Sequence, residues 1–174
     1  LLQRAPPDSD AAKWAAGTLA TLTGGSEERK VAIVAAGAIP PLVELLKRAP
    51  PDSDAAKSAT RALHNLASRS EEPKAAIVAA GAIPPLIELL QRAATDSDAA
   101  KWAAGALHNL ADRSEERSAA IAAAGAIPPL IELLKRAATD SDAAKWAAGA
   151  LNKLACRSEG LLLTRAATDS DVAE

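Results

Sequence analysis

The sequence predicts an all-α solenoid assembled from three-helix units with a 44-residue period. Self-similarity is the first ground: Gly-Ala-Ile-Pro-Pro-Leu begins at Gly37, Gly81 and Gly125, and Asp-Ser-Asp-Ala-Ala-Lys begins at Asp8, Asp52, Asp96 and Asp140. Residues 70–113 and 114–157 agree at 37 of 44 positions, so the two stretches must share one fold. Composition is the second ground. The 174 residues include 46 alanines and three Trp as the whole aromatic set, a diet suited to helices that approach closely. Third, no stretch alternates apolar and polar residues with period two, which leaves no candidate strand. Complete units fall at 26–69, 70–113 and 114–157, with partial units at 1–25 and 158–174.

Within residues 70–113 the punctuation divides each unit into three helices. The first runs from about Glu71 to Ala80, presents Ala76, Ile77 and Ala80 on one face, and stops at Gly81, a residue suited to a left-handed cap. The second opens at Pro84-Pro85, where a missing N–H removes no helical hydrogen bond, and sets Ile83, Leu86, Ile87 and Leu90 at helical spacing to about Ala93 or Ala94. The third, capped by Asp96 or Ser97, extends to about Ala111 and buries Ala99, Ala103, Ala106, Leu107 and Leu110.

One such unit has too little surface to bury, so its stability must come from stacking on copies of itself. The short first helix closing on Gly, the run Gly-Ala-Ile-Pro-Pro-Leu-Ile-Glu-Leu-Leu and the ending Ala-Leu-His-Asn-Leu-Ala together resemble the armadillo repeat over residues 1–157. That resemblance implies a right-handed solenoid whose third helices line a concave groove for an extended peptide. The two-helix HEAT repeat fits the period but lacks the Gly-x-x-Pro break.

Charge and chemistry narrow the function. A net charge of −2 gives no footprint for nucleic acid or anionic lipid, and the longest charge-free runs, such as Val31–Val43, are 13 residues and contain Gly and Pro-Pro. A membrane span needs roughly 17–25 apolar residues. One Cys and two His build neither a disulfide framework nor a structural zinc site, and no cofactor motif is present. His64 and His108 are expected to be solvated or capping, and Cys156 replaces Ser68 and Asp112 of the other units as a surface substitution. No catalytic constellation emerges, so the chain reads as a binding scaffold without enzymatic activity. The opening residues lack a secretory pattern, and the single Cys leans toward an intracellular setting, cytoplasmic or nuclear.

Leu1-Leu2-Gln3-Arg4 aligns with Leu45-Leu46-Lys47-Arg48, while Leu162–Asp171 matches Leu133–Asp142 at an offset of 29. These ends suggest a fragment of a longer array or faces that pair end to end with another copy. An engineered or structural array without a native ligand is the other reading. Near-identical units and the absence of Met favour it, whereas Ser58-Ala59-Thr60-Arg61 in place of Trp-Ala-Ala-Gly speaks against it.

Armadillo grooves often carry Trp and Asn one turn apart on the third helix. By resemblance, the Asn position falls on Thr21, Asn65, Asn109 and Lys153, and the Trp position on Gly17, Arg61, Gly105 and Gly149. Here Trp stands instead at Trp14, Trp102 and Trp146, with Ser58 at the equivalent site. Trp102, Gly105 and Asn109 share a stripe turned about 100° from Ala103 and Leu110. The functional reading lays Trp102 over the bare backbone of Gly105 and gives the ligand main chain a donor and an acceptor from Asn109. The alternative has Trp filling space beside Ala-rich neighbours and Asn capping its helix. Arg61 and Lys153 make the stripe cationic, which favours a neutral or acidic peptide over the strongly basic peptides of importin-like relatives. Lys13, Lys57, Lys101 and Lys145 read as a solvated row, and Glu44, Glu88 and Glu132 as solvent-facing charges.

Overall fold

A computed structural model describes residues 6–155 except Asp8 and Asp96. Nine complete helices are α1 (Asp10–Leu22), α2 (Glu27–Ala35), α3 (Ile39–Arg48), α4 (Asp54–Leu66), α5 (Glu71–Ala79), α6 (Ile83–Arg92), α7 (Asp98–Ala111), α8 (Glu115–Ala123) and α9 (Ile127–Arg136). Residues 142–155 form a further helix, α10. No strand occurs among the described residues. Cys156, the partial unit 158–174 and Leu1–Arg4 lie outside them.

The boundaries follow from side-chain chemistry. Ser9, Ser53, Ser97 and Ser141 each accept a hydrogen bond at Oγ from the amide three residues on, at 3.1–3.2 Å. Ser97 therefore caps α7, with Asp98 in its first turn. At the other break, Gly81 takes φ +72°, donates from its N–H to Val78 O at 2.9 Å, and leaves Ala82 to donate to Ile77 O at 3.3 Å. This paired closure ends α5 and turns the chain so that α5 and α6 meet at 78°. Between the complete units the turn is made without glycine: Arg69 and Arg113 occupy the left-handed region at φ +71° and +60°.

Like elements pack on like. Third helices α1, α4 and α7 lie side by side, second helices α3, α6 and α9 stack behind them, and first helices bridge the layers. Alanine makes the close approach possible. Ala16, Ala59 and Ala103 are fully buried where third helices meet, and Leu63, Leu66, Leu107 and Leu110 fill the space toward the second layer. Ile83, Leu86, Ile87 and Leu90 are buried on α6 as their spacing predicts. Among the described residues no single helix is long and apolar enough to cross a membrane.

Three expectations are corrected. His64 is neither solvated nor a cap: it is 9% exposed and enclosed by indole rings. His108 is half-buried in the same way against Trp146. The lysine row is also engaged. Lys13 reaches Asp54 at 2.7 Å and Lys57 reaches Asp98 at 2.5 Å, each one unit onward, because the 44-residue register sets these two lysines beside the next helix's first-turn aspartate, while Lys101 and Lys145 pair with Asp98 and Asp142 of their own helices.

Candidate peptide groove

The third helices set the candidate groove residues in register across units. Asn65 Nδ2 donates to Ala20 O at 3.1 Å, and Asn109 Nδ2 donates to His64 O at 3.1 Å. Asn109 Nδ2 also lies 3.3 Å from His64 Nδ1. Each amide thus reaches 45 residues back to the preceding third helix, and its donor is engaged between units. Lys153 stands one unit after Asn109, and its ammonium reaches Asp112 Oδ1 at 2.7 Å. Thr21, at the same position of the first unit, donates from Oγ1 to Gly17 O at 3.0 Å within its own helix.

The aromatic residues form a ladder with the histidines. His64 lies 5.0 Å from the Trp102 ring and 5.0 Å from the Trp146 ring, the latter edge-on, while His108 lies 5.3 Å from Trp146. Gly105 is the window that lets Trp146 reach His64. A Cβ there would meet His64 Nδ1 at 2.7 Å and Trp146 Cδ2 at 3.3 Å. The indole over Gly105 is therefore that of Trp146, one unit ahead, and not that of Trp102. Trp102 instead carries the Lys101 ammonium 4.6 Å from its ring centre and His64 on its other contact. Intrahelical azimuth could not find these neighbours, since they lie 41 residues apart on different helices.

Electrostatics follow the packing. Burial is the main cause that pushes the His64 imidazole below its ordinary value, with the backbone of Gly105 opposing it and His108 and Lys30 adding to it. Asp98 is held at about 2 by hydrogen bonds from Lys101 and Lys57. Among the described residues, no three His, Cys, Asp or Glu side chains come together as a metal site requires.

Two open clefts lie on the third-helix face. One of about 400 Å³ is lined by Trp14, Gly17, Thr18, Thr21, Leu22 and Arg61. The other, about 380 Å³, is bounded by Trp102, His108, Asp142, Lys145 and Trp146. Of the residues singled out from sequence, Trp14 and Arg61 meet in the first, and Trp102 and Trp146 in the second. Asn65, Gly105, Asn109 and Lys153 line neither.

The Armadillo/beta-catenin-like repeat family matches residues 26–68 and 70–112. The chain is an armadillo-repeat solenoid. This armadillo chain is similar to an engineered protein solved by a structural genomics consortium, at 39% identity and TM-score 0.76 over 90% of this chain and 62% of that one. A second engineered protein from the same consortium matches at 35% identity and TM-score 0.74 over 84% of this chain and 58% of that one. The chain thus spans less than two thirds of either. A designed armadillo repeat protein in complex with a (KR)4 peptide matches at 29% identity and TM-score 0.75, over 90% of this chain and 67% of that one. No curated protein matches the sequence.

Proposed function

We propose that this armadillo array is a non-catalytic scaffold that binds an extended peptide or protein segment along its third-helix face. The observation that carries the reading is the pair of Trp-walled clefts on that face, one on α1 and α4 and one on α7 and α10. The site comprises Trp14, Arg61, Asn65, Trp102, Gly105, Asn109, Trp146 and Lys153. Trp14, Trp102 and Trp146 supply walls, and Gly105 opens the ladder that orients two of them. Asn65 and Asn109 hold adjacent units in register and retain Oδ1 as an acceptor for ligand N–H groups. The peptide complex of the designed neighbour supports the class of partner.

A neutral to acidic segment is the expected ligand. Arg61 forms no ion pair among the described residues, while the acids Asp54 and Asp98 are already matched by Lys13 and Lys57. Nucleic acid and membrane are not expected partners, and the setting is taken as intracellular. A second reading, an engineered array, is favoured by the engineered and designed character of the similar structures. It concerns origin and leaves the groove chemistry unchanged. A third element of the proposal is end-to-end self-association through the outer face of α9.

Peptide arrays of acidic, neutral and basic composition, followed by amide chemical-shift mapping, test the groove. Shifts confined to residues 10–22, 54–66, 98–111 and 142–155 support it. Shifts confined to the second helices, or tightest binding of the basic set, overturn the site or the charge preference respectively.

A further inference from the structure

The first cleft is a vacancy in a repeating pattern, and the pattern identifies what fits it. On the third helices the glycine position recurs at Gly17, Gly105 and Gly149, and for Gly17 and Gly105 the residue 41 further on holds the next unit's Trp position. For Gly105 that residue is Trp146, whose Cδ2 would lie 3.3 Å from a Cβ on the glycine. For Gly17 it is Ser58, and a Cβ there would meet only Ser58 Oγ, at 3.9 Å. The 400 Å³ cleft over Gly17 stands where an indole would otherwise lie. Its walls are apolar or neutral apart from Arg61, and Trp14 remains 71% exposed beside it.

Resting on the groove reading, we infer that this cleft is a socket for an aromatic side chain of the ligand, which supplies the ring that Ser58 omits, with a neighbouring ligand carboxylate on Arg61. The partner is thus a peptide segment carrying an aromatic residue next to Asp or Glu. Three features support that occupant over an aliphatic one. A ring entering over Gly17 lies beside Trp14, which walls the same cleft and offers an indole for an aromatic contact. The floor glycine allows the ring to approach backbone. Arg61, which forms no ion pair among the described residues, stands where the other three units carry glycine, so the charge and the vacancy fall in the same unit.

N-acetyl-tryptophanamide, N-acetyl-leucinamide and two short peptides, one with Trp flanked by Glu and one flanked by Gln, test the socket by amide shift titration. In the parent chain the tryptophan amide should shift residues 14–22 and 58–61 at concentrations at least fivefold below those the leucine amide needs. Ser58→Trp should weaken all three tryptophan ligands at least tenfold while raising or preserving the melting temperature. Arg61→Gln should weaken the Glu peptide severalfold and leave the neutral amide unchanged. Gly17→Leu, which blocks the floor where a Cβ has room, provides the same test if Ser58→Trp does not fold. Equal binding of the leucine and tryptophan amides, or undiminished binding to both blocked variants, overturns the socket. The amide probes read the socket without a bound chain, so a failure of long peptides to occupy the groove is distinguishable from a failure here.

Discussion

Asn109 and Lys153 hold equivalent positions, and the difference between them isolates what one amide does. Asn109 closes the seam between α4 and α7 by donating to His64 O, with its amide also beside His64 Nδ1. One unit later the ammonium of Lys153 turns to Asp112, and His108 Nδ1 is buried with no hydrogen-bond partner among the described residues. An unmet buried polar atom costs about 1–3 kcal/mol, whereas a half-exposed ion pair contributes about 0–1 kcal/mol. Lys153→Asn should therefore raise unfolding free energy in urea by about 1 kcal/mol, and Asn109→Ala should lower it by about 1–3 kcal/mol. His64 adds a pH dependence whose sign is fixed by burial. Its folded-state value lies below the ordinary 6.5, so the unfolded chain takes up the proton first. This contribution is complete above about pH 6.5 and is lost as pH falls from there through the depressed folded value. His64→Gln should flatten the stability profile below about pH 6.5, and a slope that survives the substitution would assign it to other groups.

At the scale of the helix, two buried lysines act on carbonyl ends. Lys30 Nζ in α2 reaches Ser68 Oγ at 2.7 Å and Ser68 O at 3.4 Å, just beyond α4. Lys74, 1% exposed, sits 2.8 Å from Glu71 Oε1 and 3.5 Å from Asp112 O at the end of α7. A cation near a helix C-terminus is favoured by the dipole, by up to about 2 kcal/mol when partly buried. Lys74→Met should lower stability by about 1 kcal/mol and speed amide exchange over 107–111, with the first-turn amides of α7 unaffected. Helix limits were readable because each is written locally, in Ser97 for a start and in Gly81 or Pro84-Pro85 for a break. Arg69 and Arg113 were not, since nothing about arginine marks a positive φ. The core faces were readable too, from Ile83, Leu86, Ile87 and Leu90. The groove was readable only as a set of third-helix positions. Trp146 over Gly105 and Asn109 on His64 depend on offsets of 41 and 45 residues between helices, which periodicity within one helix does not contain.

Across the whole array, stability is carried by contacts between neighbouring units, and the second-helix layer displays it directly. Ile83, Ile87 and Leu90 on α6 are 7, 4 and 7% exposed beneath α9, whereas Ile127, Ile131 and Leu134 on α9 are 37, 38 and 38% exposed. Equivalent side chains therefore differ in what they stabilise. Ile87→Ala removes a buried contact between units and should cost about 2–5 kcal/mol in urea unfolding. Ile131→Lys changes a partly solvated position and should alter monomer stability by about 0.5 kcal/mol or less. A contiguous apolar row of this kind favours pairing with a second copy. Light scattering over a wide concentration range should then show mass growing with concentration in the parent chain and reversing on dilution, and a constant monomer mass in Ile131→Lys. A parent chain that stays monomeric throughout would mean that the α9 row is not a contact between copies. If the Ile131→Lys variant grows in mass as the parent does, the copies meet elsewhere, and the exposed Trp14 face becomes the place to introduce the next charge.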